Sequence, residues 1–337
     1  GSLRGVVIHD LIYKALLDKK QKAVYTYCIN DMDPVDGGNF PDHMGWPLFK
    51  TPFAKGFAEE FISVFEKTGC HPKIVWTSDL YKNGKFDEII KIFLNNTDKI
   101  RKLFKEQYQN FKEEDYYPYQ PICPKCGKIA TTKIYKWDGN HVYFKCQEKA
   151  VNYTKGCGFD GKVKPEKLNG KMPWKIEWPA HWKTLGVTIE WSGKDHMTAG
   201  GSHEIAAKIS EKILNYHTPR AELYEHLLIG GKKMSSSKGL GTSSEEVSEI
   251  LPPELLRFLM VRTDYRQAIN FDPAGETIPN LFDEYDRCAQ EFWQKEKESD
   301  FGRMFELSQI DLSKPEKPIN VRFKQLVQWV QMPNMVD

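Results

Sequence analysis

The segment Gly230-Gly231-Lys232-Lys233-Met234-Ser235-Ser236-Ser237-Lys238-Gly239 sets three lysines, three serines and three glycines directly behind the apolar run Leu227-Leu228-Ile229. These residue types suit chemistry on a phosphate. Glycines let the backbone approach an anion and turn sharply, hydroxyls and amides donate to phosphate oxygens, and lysines neutralise the charge that grows as pyrophosphate departs. The competing reading is a solvated basic turn. Context favours the phosphate loop, because a strand precedes it and Ser243 or Ser244, followed by Glu245 and Glu246, starts a helix whose amide dipoles attract anions.

A second glycine-rich stretch carries titratable groups. Ser192-Gly193-Lys194-Asp195-His196 and then Ala199-Gly200-Gly201-Ser202-His203 lie between an expected strand, 187–190, and an expected helix, 202–215. That order suits a nucleotide or small-substrate site. Asp195 can accept hydrogen bonds from a ribose or an ammonium, and His196 can close a pocket or donate to a carboxylate or phosphate. Just upstream, Trp174, Trp178 and Trp182 account for three of the nine tryptophans, and their alternative role is packing at a domain interface. Near the start, Asp31 and Asp33 follow the first expected strand. They read either as carboxylates facing a cationic substrate or as a polar turn.

Four of the seven cysteines fall in one segment. Cys123 and Cys126 share a tight turn with Gly127, and Cys146 and Cys157 can complete a tetrahedral set of thiolates, which predicts a structural Zn2+. His141 is an alternative ligand. Tyr135, Lys136, Trp137, Tyr143, Phe144 and Lys145 interleave aromatic and basic character in the same segment, fitting either a small ribbon core or contact with nucleic acid. Cys28, Cys70 and Cys288 read as ordinary buried thiols.

The elements that would position these groups alternate in type. Strands are expected at 23–29 and 73–77, an amphipathic helix at 54–67, and one or two helices over 86–111 with a break near Asn95-Asn96. This rhythm predicts a parallel sheet covered by helices. Composition changes at 116 and the rhythm resumes after about 167, with strands at 187–190 and 225–229, so a compact insert splits the sheet domain. Beyond Pro252-Pro253 the pattern is helical, at 254–262, 278–294 and 321–330. The 337 residues allow two or three domains. A formal charge of +2 provides no global attraction for a polyanion, so any nucleic-acid contact must be local. No apolar run approaches the ~20 residues of a membrane span, and no signal peptide is visible, so a cytoplasmic protein is expected.

Taken together, these segments resemble the class I lysyl-tRNA synthetases of the archaeal type. The resemblance rests on Leu3-Arg4-Gly5, Asp31-Met32-Asp33-Pro34, Cys123-Pro124-Lys125-Cys126-Gly127, Trp178-Pro179-Ala180-His181-Trp182, Gly193-Lys194-Asp195-His196, Gly200-Gly201-Ser202, Lys233-Met234-Ser235-Ser236-Ser237 in place of KMSKS, and Leu251 through Arg262. It implies a Rossmann-like parallel sheet split by a zinc-ribbon-type insert and followed by an α-helical stem-contact domain. The implied divisions are 1–115 and 168–243 for the two catalytic halves, 116–167 for the insert and 244–337 for the helical part. The implied reaction joins L-lysine to ATP with Mg2+, releases pyrophosphate, and passes the lysyl group to tRNA(Lys), in a monomer. Lys233 and Lys238, with Ser235, Ser236 and Ser237, would contact the departing phosphates, Lys238 standing in for the second lysine that Ser236 replaces. Trp174 and His196 would enclose lysine, with Gly193 and Asp195 near it or the adenosine; Gly200 and Gly201 belong to the same site, and Asp31 and Asp33 are candidates for the ammonium partner. The family's HIGH motif would end at Gly1-Ser2, so a chain starting there is expected to lack most of it, together with the C-terminal anticodon-binding region, and to be impaired. Two other readings stay open: a tRNA-binding module without activation chemistry, and another class I adenylyl transferase.

Overall fold

Apolar spacing sets the helices, and burial follows it. In the computed structural model, which describes residues 2–38, 40–108, 111, 115–233, 244–294, 299–311, 317 and 321–332, the helix Asp87–Asn95 buries Ile89, Ile90, Phe93 and Leu94. Its successor Thr97–Gln107 buries Ile100, Leu103 and Phe104. The expected break lies between them, where the Asn96 side-chain amide donates to the Ile92 carbonyl at 2.8 Å and competes with continued helix.

The chain divides into two units. The central unit comprises Thr26–Ala58 and Ile74–Glu222. Its core gathers Met32, Tyr81, Phe86 and Phe93 with Ile134, Phe144, Met172, Ile176 and Ile205. Strand Thr26–Ile29 pairs with Lys73–Trp76, close to the expected strands. Strands Thr132–Trp137, Val142–Cys146 and Asp160–Val163 form an antiparallel sheet. Antiparallel pairing of Gln120 with Lys171 and of Pro121 with Gly170 brings the two ends of this cysteine segment together. The expected strand at 187–190 is reduced to one parallel bridge, Ile189 with Arg220. Its ladder is the pair of bonds Arg220 N–H to Thr188 carbonyl, 2.9 Å, and Glu190 N–H to Arg220 carbonyl, 3.0 Å.

The flanking unit comprises Gly1–Tyr25, Glu59–Lys73 and Leu223–Asp337. Two buried arginines tie its segments together. From the helix Ser2–Asp18, Arg4 donates to the carbonyls of Glu225 at 2.7 Å and Gln267 at 2.8 Å, while Arg257 of the helix Pro253–Val261 donates to Asp10 and to the Thr68 carbonyl at 3.0 Å. Strand Leu227–Ile229 lies parallel to Ile269–Phe271 and antiparallel to Lys232–Lys233. Helices Thr277–Trp293, Asp300–Ser308 and Phe323–Val330 follow. The chain is thus mixed α/β, with the described strands in sheets of two or three. Among the described residues no helix is long and apolar enough to cross a membrane.

Candidate functional site

One helix of the central unit carries an aromatic stair. Pro173 precedes Trp174–Leu185, and Gly186, at φ 67°, ends it in the left-handed conformation that glycine adopts without strain. Residues four apart share a helix face, so Trp174, Trp178 and Trp182 line up. The first two rings stack at 5.1 Å with a 21° tilt, and the second and third are 5.5 Å apart. Exposure falls from 36% at Trp174 to 4% at Trp178 and 1% at Trp182, so the stair runs from solvent to core. His196 stands 6.3 Å from the Trp174 ring and 5.7 Å from the Trp178 ring. His203 packs edge-on against Trp178 at 5.7 Å, and its Nε2 is buried with no hydrogen-bond partner among the described residues.

Glu190 was not visible as a site residue in the sequence. Its Oε2 accepts the indole N–H of Trp178 at 3.0 Å and that of Trp182 at a shorter distance. Burial pushes its pKa above the ordinary 4.5, and the two indole donors pull in the other direction without overcoming it. Among the described residues no lysine or arginine forms an ion pair with it.

A second carboxylate, on the tryptophan helix itself, is already neutralised. Glu177 is fully buried, accepts the Tyr81 hydroxyl at 2.6 Å, and has its other oxygen 3.2 Å from Lys171 Nζ. Lys171 also contacts Asp33. Burial acts to lower the Lys171 pKa, and the charges of Glu177 and Asp33 outweigh it and hold the pKa above 10.5. Asp33 further accepts from the Asn30 amide at 2.8 Å. Asp31 is engaged as well, since Ser78 donates its N–H to Oδ1 at 2.8 Å and its hydroxyl to Oδ2 at 2.5 Å. It borders a cavity of about 290 Å³ with Phe49, Thr51, Lys55, Trp76 and Asp79, and none of the stair tryptophans lines that cavity.

The glycine-rich stretch forms two short helical elements. Gly193 precedes the turn of helix Lys194–Met197, which holds Asp195 and His196. Gly200, at φ 76°, and Gly201 lead into the helix Ser202–Lys212. A Cβ at Gly201 would stand 2.5 Å from the His196 carbonyl oxygen, so only glycine permits this approach. The Gly200 N–H donates to Glu204 at 3.1 Å, so part of the helix start is satisfied from within.

The lysine-rich loop is described only at its beginning. Gly230 and Gly231, at φ 54° and 75°, make the tight turn between Leu227–Ile229 and Lys232–Lys233, so a hairpin accounts for both glycines. Ser235, Ser236, Ser237 and Lys238, and the Lys233 side chain, lie outside the described residues.

The four cysteines of the segment 123–157 converge. The Sγ atoms of Cys123, Cys126, Cys146 and Cys157 all lie within 4.8 Å of one another, with Cys123 to Cys157 at 3.6 Å and Cys126 to Cys146 at 3.7 Å. A tetrahedron with Zn–S bonds of about 2.3 Å has edges of about 3.8 Å. The donor set and its spacing therefore fit a structural zinc ion. His141 is not a member of the group.

Comparison with known proteins agrees across the chain. The family described as tRNA synthetases class I (K) matches residues 1–311. The lysine–tRNA ligase of Picrophilus torridus is 35% identical over 100% of this chain and 68% of its own length. That of Thermoplasma volcanium is 33% identical over 98% and 66%, and lysine–tRNA ligase 1 of Methanosarcina acetivorans is 34% identical over 98% and 63%. The chain spans about two thirds of the length of these curated relatives. Among solved structures, Mycobacterium tuberculosis methionyl-tRNA synthetase bound by methionyl-adenylate shares the fold at a TM-score of 0.50, with 11% identity over 86% of this chain and 67% of that one. With a family match over nearly its whole length and relatives above 30% identity, the chain belongs to the class I (K) tRNA synthetases.

Proposed function

We infer that the protein to which this chain belongs is a lysine–tRNA ligase. It activates L-lysine with Mg-ATP, releasing pyrophosphate, and passes the lysyl group to tRNA(Lys). Family membership supports the reaction, and the Glu190 carboxylate beside the tryptophan stair supports the amino acid. Aromatic faces pack against methylenes, and a half-buried carboxylate next to them matches an ammonium at the end of that alkyl chain. Glu190 is accordingly a better ammonium partner than Asp31, both of whose oxygens accept from Ser78, or Asp33, which pairs with Lys171, because both indole donors to Glu190 meet one oxygen.

In this reading Trp174 and His196 flank the lysine, and Gly193, Asp195, Gly200 and Gly201 border it or the adenosine. Lys233, Lys238 and Ser235 to Ser237 oppose the charge of the leaving pyrophosphate. Such phosphoryl chemistry asks the protein mainly to position reactants and stabilise charge. The split Rossmann-like sheet, the zinc-ribbon insert over 116–167 and the helical stem-contact part from 244 belong to the same proposal. Cys123, Cys126, Cys146 and Cys157 would hold the zinc, which would supply folding energy to a ribbon with little core of its own.

Lysine-dependent exchange between ATP and pyrophosphate, assayed on the full-length protein with and without tRNA(Lys), tests the reading. Exchange with lysine and not with glutamate, cysteine or arginine is expected, and Lys233→Ala is expected to depress exchange far more than lysine binding. Exchange with another amino acid alone would overturn the specificity. Tight tRNA binding with no exchange under any condition would favour a binding module.

A further inference from the structure

The outer face of the cysteine ribbon is built from cations and fixed tyrosine rings. Along Thr132–Trp137 the buried residues are Thr132 and Ile134, and along Val142–Cys146 they are Val142, Phe144 and Cys146. The core therefore takes one face of the sheet. Pairing shifts between Ile134, opposite Phe144, and Lys136, opposite Tyr143. That bulge leaves Tyr135 as the extra residue, and a bulge re-aims side chains, so Tyr135 and Lys136 are both exposed in succession. Strict alternation would have turned one of them inward.

The result is a platform. Tyr135, 53% exposed, has its ring centroid 6.4 Å from that of Tyr143. Lys136 and Lys162 stand 5.1 Å and 5.6 Å from the Tyr143 ring centroid, and Lys145 is exposed on the next position of the same strand face. The two carboxylates nearby are occupied by tyrosine hydroxyls, Tyr135 to Asp160 at 2.8 Å and Tyr143 to Asp138 at 3.0 Å. Those bonds fix the rings without cancelling the carboxylates' charge, and Lys136, Lys145 and Lys162 outnumber Asp138 and Asp160, so the face keeps an excess of positive charge. Rings held at the surface among cations suit a base stacked on an aromatic and phosphates paired with amines. An acidic protein surface would use the charge but has no need of the rings.

We propose that this sheet face is a contact surface for the substrate RNA, with Tyr143 stacking on an unpaired base and Lys136, Lys145 and Lys162 facing phosphates. The proposal rests on the reading of the protein as a tRNA ligase. It resolves the choice left by the sequence: Phe144 serves the core, while Tyr135, Lys136, Tyr143 and Lys145 serve the surface.

The test measures binding of a tRNA(Lys) transcript to the full-length protein against salt concentration, for the unaltered protein, the triple change Lys136→Ala, Lys145→Ala and Lys162→Ala, and Tyr143→Ala. Each lysine on a phosphate adds about 0.7 to 0.9 to the slope of log affinity on log salt, so the triple variant is expected to lose about 2 from that slope. Tyr143→Ala is expected to weaken binding about tenfold with the slope unchanged, and Tyr143→Phe to retain it, as base–aromatic stacking predicts. The corresponding triple Lys→Gln variant, with an unfolding midpoint matching the parent, guards against misfolding. Retained tRNA affinity and slope in both triple variants, with tRNA bound normally by the parent, would overturn the surface assignment and leave the ligase reading standing. Poly-L-glutamate displacing the tRNA as well as RNA does, through the same lysines and without Tyr143, would show an acidic-protein site instead. A parent protein that binds no tRNA would overturn both.

Discussion

Glu177 and Glu190 are two acids with similar neighbours and opposite charge balance. Each accepts hydrogen bonds from aromatic side chains, Tyr81 for the first and Trp178 with Trp182 for the second. Glu177 adds Lys171 and so closes its electrostatics inside the protein. Glu190 is held by dipoles alone, which favour the carboxylate without cancelling its charge. A half-buried charge that folding does not pair is one that a ligand can pair. On the proposed reading, the contrast separates an acid that serves the fold from one that awaits the substrate ammonium.

The harshest way to break the comparison is to unpair the finished acid. Lys171→Met leaves Glu177 and Asp33 without their cation, and removing one partner of a buried pair typically costs about 3–5 kcal/mol. Chemical denaturation should register that loss, and adding Glu177→Gln to Lys171→Met should restore part of it. A single variant as stable as the parent would mean that the cluster does not hold the unit together. Glu190→Gln is the matching change at the open acid. Its amide oxygen can still accept both indoles, so the unfolding midpoint should stay level or rise, while lysine binding should weaken about thirtyfold, roughly 2 kcal/mol, as expected for losing one side of a buried charge pair. Calorimetry with lysine and with norleucine, which lacks the ammonium, gives the sharper readout. The parent should discriminate between them and the variant should not; discrimination retained in the variant would remove Glu190 from the ammonium site.

Much of this arrangement was legible in the sequence, but only where the signal is local. The helix Ala54–Lys67 matches its periodic pattern, and the Asn95-Asn96 break falls where amide side chains compete with the backbone. Trp174 and His196 were joined only by the family resemblance, as residues enclosing a substrate, and their rings stand 6.3 Å apart. Asp33 and Lys171 are 138 residues apart, and no periodicity links them. Glu190 sat unnoticed at the end of an expected strand because a single acid there looks like a solvated edge. The three-residue strand Ile269–Phe271 is too short for alternation to register, and the helix Asp300–Ser308 was passed over between two stronger patterns. Gly230 and Gly231 were expected to let the backbone approach an anion and turn sharply, and their positive φ values make the sharp turn of the hairpin.

Tyr81 offers a smaller probe of the closed side. Its hydroxyl accepts the Met172 N–H at 2.7 Å while donating to Glu177, so Tyr81→Phe strands a buried amide and one carboxylate oxygen together. A loss of about 1–3 kcal/mol is expected, because the unmet groups bear their desolvation cost. If Tyr81→Phe costs as much in the Glu177→Gln background as in the parent, the hydroxyl serves the amide rather than the acid.

The gentlest probe is pH, applied to Glu190. Burial raises the Glu190 pKa above 4.5, so the folded state holds that proton to higher pH than the unfolded chain does. Between the ordinary value and the raised one, the folded state binds more protons, and stability attributable to Glu190 falls as pH rises. Lysine reverses the preference, since its ammonium favours the ionised carboxylate. Lysine affinity should therefore climb as pH rises through the raised pKa, by at most about tenfold per pH unit for one proton released. Norleucine should show no such climb, and neither should Glu190→Gln with lysine. A climb in lysine affinity that survives in Glu190→Gln would place the titrating group elsewhere, and would return the two acids to the same class.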